Sequence, residues 1–262
     1  MHHIIQLSDI HIGGEYGGKF DCWGNLEAVV NHISSKIRVI HRIFGVAPLV
    51  LVTGDVCEGS AATVENYTKV HDLIAKICGT GNIRYTVGNH DDAKVMGEAL
   101  GFNPDKVNVE LLSAYDDPYI LIHIPTYTGT VDVDSVMMQI HHELAQLGSA
   151  AKDIPKYVYS HFPIGYVDHR FMNNGHALEH GELLHECLQH VGVKEIFCGH
   201  YHSGSITPHI SSPCINVCPG IQAQLDPYSK DCMPTGDYPG YADISIYKDY
   251  ADVTFKYIEV NK

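Results

Sequence analysis

Five short polar motifs in this chain combine aspartate, histidine and asparagine, side chains that bind metal ions through oxygen or imidazole nitrogen. In chain order they are Asp9-Ile10-His11, Gly54-Asp55, Gly88-Asn89-His90-Asp91, Ser160-His161 and Gly199-His200-Tyr201-His202. In a chain of this composition GNHD is expected by chance about 0.005 times and GHxH about 0.13 times. These two motifs are therefore the most specific signals in the sequence.

The residue types indicate a pair of metal ions. Oxygen and imidazole ligands without thiolate favour Mn, Fe, Zn or Co. Two Asp and two His can make one site, and Asp, Asn and two His the other, with one carboxylate shared. Two cations about 3.5–4 Å apart clamp the attacking and leaving oxygens of a phosphoryl displacement and acidify a water between them. We therefore expect metal-assisted hydrolysis of a phosphate ester.

Each motif follows a short apolar run that predicts a β-strand, and helix-like stretches lie between the runs. The predicted strands are residues 4–7, 49–52, 83–87, 119–124, 156–159 and 195–198. The predicted helices are residues 25–44, 62–77, 133–147 and 178–190. Because ligands bind beyond the carboxyl ends of strands in an open α/β sheet, we expect the five motifs to face one crevice.

The C-terminal segment reads as strands with no helix between them, at residues 205–209, 214–217, 243–247 and 252–258. We expect these strands to form a second sheet packed on the first. The predicted architecture is an α/β fold of two packed mixed β-sheets flanked by helices, an αββα sandwich, in a single domain over residues 1–262.

Composition limits the function further. The chain has 262 residues, 45% of them hydrophobic, and a net charge of −14. It can build a core, and its acidity disfavours long nucleic acids and anionic membranes as partners. We expect a cytoplasmic protein, because no membrane helix or secretory signal is evident and none of the eight cysteines forms a CxxC pair. A small phosphodiester is the expected partner.

The order DxH, GD, GNHD, a histidine before proline, and GHxH resembles the calcineurin-like metallophosphoesterase superfamily. The sequence is most similar to its branch of class III cyclic-nucleotide phosphodiesterases and glycerophosphodiesterases. The resemblance extends from about residue 4 to the end of the chain, and includes Ser160-His161-Phe162-Pro163 and Val217-Cys218-Pro219-Gly220.

The resemblance implies seven metal ligands in two sets that share one bridging carboxylate. The set for the first ion is Asp9, His11, Asp55 and His202. The set for the second ion is Asp55, Asn89, His161 and His200. By the same resemblance His90 contacts the phosphoryl oxygens and helps to protonate the leaving alkoxide, and Asp91 holds an imidazole by a hydrogen bond.

Two departures from the family pattern concern the substrate. Phe162 stands where a second histidine often follows the ligand histidine, which alters a pocket wall. Residues 56–60 lack the Asp-Arg-Gly continuation of Ser/Thr protein phosphatases, which argues against a phosphoprotein substrate. In the loop after Pro163, Arg170 and His176 are candidate substrate-binding residues, and a surface loop without a role is the alternative.

The favoured hypothesis is a phosphodiesterase for a small diester, in which a metal-bound hydroxide attacks and His90 assists the leaving group. A cyclic nucleotide ranks ahead of a glycerophosphodiester or a cyclic dinucleotide. The net charge disfavours a DNA exonuclease, and the intact ligands disfavour a scaffold like the retromer subunit of this superfamily. A homodimer is an option, with the loop around Phe171 and Met172 as its candidate contact.

Overall fold

A computed structural model of the chain describes residues 1–14, 20–114, 117–208, 213–236, 238–248 and 250–260. Its α-helices are α1 Cys22–Phe44, α2 Val64–Cys78, α3 Ala93–Leu100, α4 Val133–Gln146 and α5 Gly181–Val191. Its strands are β1 His2–Leu7, β2 Leu49–Thr53, β3 Ile83–Thr86, β4 Asn108–Ala114, β5 Asp117–His123, β6 Lys156–Tyr159, β7 Val193–Cys198, β8 Ser205–Thr207, β9 Cys214–Val217, β10 Gln224–Leu225, β11 Pro234–Gly236, β12 Gly240–Ile246 and β13 Ala251–Tyr257.

The strands form two large mixed sheets and a small hairpin of β10 and β11. The first sheet has the order β13-β12-β1-β2-β3, with β1, β2 and β3 parallel. The second has the order β4-β5-β6-β7-β9-β8, with β5, β6, β7 and β9 parallel. The parallel strands of each sheet therefore end at a common edge, where loops can bring polar side chains together.

Alternating side chains along each strand divide the core into layers. Ile5 faces outward and packs with α1, α2 and α3, whereas its neighbour Ile4 packs between the sheets with Tyr157 of β6. Ile140 of α4 and Leu188 of α5 cover the outer face of the second sheet. The helices thus flank two packed sheets, and the predicted αββα architecture is confirmed.

Local signals fix the ends of α1, the longest described helix. The Asp21 carboxylate accepts a hydrogen bond from the Gly24 backbone N–H (2.9 Å) and caps the first turn. Leu26 and Ile33 lie on the buried face. The helix stops at Gly45, whose φ of 74° suits a residue without a Cβ atom. No helix of the described residues is long and apolar enough to span a membrane.

The C-terminal strands differ from the prediction, because they do not form a second sheet by themselves. β8 and β9 extend the second sheet beside β7, while β12 and β13 extend the first sheet beside β1. The centre of the second sheet comes from the middle of the chain. An apolar run predicts a strand but not which strand it pairs with, so this division could not be predicted from the sequence. Residue 209 of the predicted strand 205–209 lies outside the described residues.

Candidate metal centre

The candidate ligands meet where the carboxyl ends of the two sheets adjoin. The first three motifs follow β1, β2 and β3 of the first sheet, and the last two follow β6 and β7 of the second. The side chains brought together are Asp9, His11, Asp55, Asn89, His161, His200 and His202. All are buried except Asn89, which lies at the surface of the site. Both sheets are therefore needed to build the cluster.

Four of these residues form a first group, whose ligand atoms all lie within 4.8 Å of one another: Asp9, His11, Asp55 and His202. His11 Nε2 is 3.1 Å from His202 Nε2 and 3.4 Å from Asp55 Oδ2. Ligands bound at about 2.1 Å to one ion lie roughly 3.0–3.4 Å apart, so this spacing fits a metal ion.

A second group lies on the other side of Asp55. His161 Nε2 is 3.3 Å from Asp55 Oδ2 and 2.9 Å from Asn89 Oδ1, and His200 belongs to the same group. Since Asp55 Oδ2 is close to both His11 Nε2 and His161 Nε2, this carboxylate lies between the groups, as a bridging ligand must. The geometry divides the residues into the two sets that the resemblance implies.

Each candidate histidine has its second ring nitrogen tied to an acceptor outside the cluster. The pairs are His11 Nδ1 with Glu58 Oε2 (3.1 Å), His161 Nδ1 with the Thr53 carbonyl (2.8 Å), His202 Nδ1 with the Ala223 carbonyl (3.2 Å) and His200 Nε2 with the His176 carbonyl (2.9 Å). A nitrogen that donates to such an acceptor carries the proton, which leaves the lone pair on the other nitrogen. The rings are therefore oriented with lone pairs toward the cluster.

The backbone at this edge adopts a conformation that side chains other than glycine rarely take. Six described non-glycine residues have a positive φ, and five of them are Asp9 (53°), His11 (51°), Asp55 (53°), His200 (69°) and His202 (52°). Each costs on the order of 1–3 kcal/mol and persists only where surrounding contacts hold it. Packing is so close that a Cβ atom on Gly199 would lie 1.9 Å from Ser8 Oγ. The strained backbone lowers the stability of the fold and directs the candidate ligand side chains toward the cluster.

The buried carboxylates Asp9 and Asp55 have pKa values shifted in opposite directions. Burial raises the pKa of Asp9 to about 6. Burial also acts on Asp55, but the charge and hydrogen bond of His161, with the charges of His11 and His90, together outweigh it and hold the Asp55 pKa well below its usual range. The same attraction raises the pKa of His161 to about 9, against the effect of burial. A bound cation would take the place of protons here, so metal binding weakens as the pH falls.

Glu58 is a site residue that the sequence reasoning missed. Its Oε2 atom lies 3.1 Å from His11 Nδ1, and its Oε1 atom lies 3.3 Å from His90 Nδ1. The His90 backbone N–H also donates to Asp55 Oδ1 (2.9 Å). With Nδ1 of His90 facing Glu58, Nε2 is the ring nitrogen that can reach a substrate. The only signal in the sequence was an acidic residue three positions after Asp55.

The expectation that Asp91 holds an imidazole is wrong. Its Oδ1 atom accepts hydrogen bonds from the backbone N–H groups of Val56 and Cys57 (both 2.9 Å) and from the Tyr67 hydroxyl (3.1 Å). Its Oδ2 atom accepts from the Gly88 N–H (2.9 Å). Asp91 therefore ties the loop after β2 to the loop after β3 and positions the site through the backbone.

A pocket of about 250 Å³ opens over the cluster. One side consists of candidate ligands and His90, and the other is an apolar wall formed by Phe171, Met172, Leu225 and Cys232. No lysine or arginine occurs among the described residues that line this pocket. Met172 is buried and Phe171 half-buried, whereas residues 173–177 of the same loop are exposed, and a homodimer contact through this loop stays a prediction.

The two candidate substrate-binding residues lie in different places. His176 lines the pocket, whereas Arg170 does not: it is exposed, and its Nη1 atom lies 3.4 Å from the Tyr228 carbonyl. The expectation of a phosphate contact from Arg170 is not met by this placement. Phe162 packs on the His200 ring, 3.9 Å between centroids, and so supports a candidate ligand instead of lining the pocket.

Comparisons with known proteins agree with this geometry. The family model described as calcineurin-like phosphoesterase matches residues 2–204. A Fibrobacter succinogenes protein named "probable cyclic nucleotide phosphodiesterase" is 24% identical over 230 residues, covering 86% of this chain and 81% of the relative. A Colwellia psychrerythraea protein of the same name is 24% identical over 259 residues, covering 94% of this chain and 90% of the relative.

Solved structures share the fold at low sequence identity. A dimetal phosphatase from Danio rerio superposes with a TM-score of 0.64 at 11% identity, covering 97% of this chain and 95% of the other. A purple acid phosphatase from yellow lupin gives a TM-score of 0.63 at 14% identity, covering 98% of this chain and 51% of the other. The chain belongs to the calcineurin-like phosphoesterase family of metal-dependent hydrolases.

Proposed function

We propose that this protein is a phosphodiesterase for a small diester, and that its substrate is a cyclic nucleotide. The observation that carries the proposal is the cluster of two ligand sets at the base of a pocket that also presents His90. The two relatives named as cyclic nucleotide phosphodiesterases support the choice of substrate.

The seven candidate ligands would hold two cations, with Asp55 shared between them. Bound there, the ions would supply an activated water and positive charge beside the phosphoryl oxygens. The protein's own contribution is orientation, because each imidazole is fixed through its second nitrogen and each motif is held by the end of a strand.

In this proposal His90 protonates the leaving alkoxide. Nδ1 of its ring faces Glu58 Oε1 at 3.3 Å, so Nε2 is the ring nitrogen that is open to a bound ester. The Glu58 carboxylate lies against this edge of the ring and holds its orientation. His90 is one-third exposed at the pocket surface, where a substrate oxygen can approach it.

The lining of the pocket favours a diester over a monoester. A phosphomonoester carries two negative charges near neutral pH and exposes three non-bridging oxygens, which proteins commonly bind with arginine or lysine. The described lining offers neither. A diester carries one charge and exposes two such oxygens, a smaller demand on the metal ions, Asn89 and His90. The pocket volume and the net charge of −14 also suit a small molecule better than a nucleic acid strand.

The proposal is tested with a substrate panel on metal-reconstituted protein, with Asp55→Ala as the blank. The panel contains 3′,5′- and 2′,3′-cyclic nucleotides, cyclic dinucleotides, glycerophosphodiesters and a phosphomonoester. We expect a cyclic nucleotide to be hydrolysed fastest. If a glycerophosphodiester is hydrolysed fastest, the proposed substrate is wrong. If no compound is hydrolysed with both ions bound, the proposed enzymatic role is wrong.

A further inference from the structure

The segment 169–176 carries two aromatic rings over the pocket on a well-anchored backbone. The Arg170 N–H donates to the Pro227 carbonyl (2.8 Å), and the His176 N–H donates to the Met172 carbonyl (3.0 Å). The His176 carbonyl in turn accepts from His200 Nε2 (2.9 Å). The backbone that presents the rings is thus tied both to the hairpin loop and to a candidate ligand.

The rings of Phe171 and His176 form a stacked pair at this position. Their centroids are 4.8 Å apart and their planes differ by 20°. Phe171 is half-buried against the core of the second sheet, and His176 is exposed beside it. The bond to His200 uses only the main chain of His176, so the imidazole is not required for the metal centre.

What lies around this pair limits how a ligand can be recognised there. Leu225 and Cys232 continue the apolar wall, and no lysine or arginine occurs in the described lining. Apart from the amide of Gln222, the part of a substrate that extends away from the metal ions therefore meets ring faces and apolar atoms. A flat ring gains from such a surface, whereas a glycerol group has little to stack on it.

We propose that the Phe171–His176 pair is the platform on which the base of a nucleotide stacks, and that these residues select diesters that bear a flat ring. The proposal rests on the proposed function and names the residues that determine its specificity. A base on an aromatic platform contributes roughly 5–150-fold in affinity and does so with little dependence on which base it is.

The test compares the binding of AMP and ribose 5-phosphate, which differ only in the base, to the metal-loaded protein by calorimetry. We expect the wild-type protein to bind AMP about 5–150-fold more tightly. Phe171→Ala and His176→Ala should lower this ratio toward one, while Phe171→Tyr, the conservative control, keeps it. Metal content and ribose 5-phosphate affinity should stay unchanged, which a general loss of structure would not allow.

The platform is overturned if the wild-type protein binds AMP and ribose 5-phosphate equally well. It is also overturned if neither alanine substitution lowers the preference for AMP. The proposed function fails separately, by absence of cyclic nucleotide hydrolysis in the wild-type protein. Tight binding of AMP without such hydrolysis would keep the platform and reject the reaction. Hydrolysis with a ratio of one would keep the reaction and reject the platform.

Discussion

The two sides of the pocket are built in different ways. The metal side consists of buried polar residues on short loops that directly follow strands of both sheets. The apolar wall comes from the segment 169–176 and from the hairpin around Leu225, which lie apart from the parallel strands. The contrast teaches that the sheets position the candidate ligands, while the wall that we propose to select the substrate belongs to connections that can vary without disturbing the sheets.

The largest effect expected on the metal side comes from Asp55→Ala. Because this carboxylate lies between the two ligand sets, the variant should lose both ions and nearly all turnover. Metal analysis by mass spectrometry and hydrolysis of a model diester measure this. Asp134→Ala, an exposed carboxylate in the first turn of α4, is the matched control and should keep both. Retention of one tightly bound ion by Asp55→Ala would show that Asp55 serves a single site.

His90→Ala separates catalysis from metal binding on the same side. It should keep both ions and lose about 10²–10⁴-fold in kcat, the usual effect of removing a general acid. Metal content and steady-state kinetics measure the two quantities. If the variant lost its metal ions, His90 would be a ligand and its assigned role would be wrong.

Glu58→Gln should lower kcat by a smaller factor, about 10–100-fold. It removes the carboxylate charge that lies against His11 and His90 but leaves both rings in place. A double-mutant cycle with His90→Ala shows the route of the effect. We expect Glu58→Gln to cost markedly less once His90 is absent. Equal costs in both backgrounds would mean that Glu58 acts independently of His90.

The smallest expected effect is on stability and comes from His123 of β5, whose ring connects the second sheet to Thr86 of β3 in the first. Its ring is buried, donates from Nδ1 to the Lys106 carbonyl (3.1 Å) and accepts at Nε2 from the Thr86 hydroxyl (3.0 Å). Burial lowers the pKa of His123 from 6.5 to about 4. The folded state thus binds this proton less well than the unfolded state, so stability is lost as the pH falls from 6.5 to 4, by about 3 kcal/mol in full.

His123→Gln should therefore flatten the pH dependence of unfolding between pH 6.5 and 4. Denaturant titrations of the metal-free protein at several pH values measure it, with the wild type as reference. Part of the slope should persist, because burial also lowers the pKa of His200 and His202. An unchanged slope would show that His123 does not titrate in this range.

The contrast between the two sides also explains what the sequence could predict. The candidate ligands could be predicted because each follows its strand within a few residues and because their motifs resemble those of a known family. The contacts of Glu58 and Asp91 depend on the paths of loops, which hydrophobic periodicity does not encode. Glu58 contacts His90, and Asp91 accepts hydrogen bonds from backbone N–H groups.

The apolar wall was the part of the pocket that could least be predicted from the sequence. In the loop after Pro163, the polar Arg170 was the predicted phosphate contact. Arg170 lies outside the pocket, whereas the adjacent Phe171 lines the pocket. The apolar patterns also failed to predict β4 and α3. β4 is an edge strand that contains polar residues, and α3 has only 8 residues. Short or irregular segments take their conformation from tertiary packing, which a local pattern does not contain.

Titration of the metal-free protein with Mn(II), followed by electron paramagnetic resonance, tests the shared-carboxylate centre most directly. We expect two ions per chain and an exchange-coupled spectrum, because the Asp55 carboxylate lies within reach of both ligand sets. Binding that stops at one ion per chain, or two ions with uncoupled spectra, would contradict it.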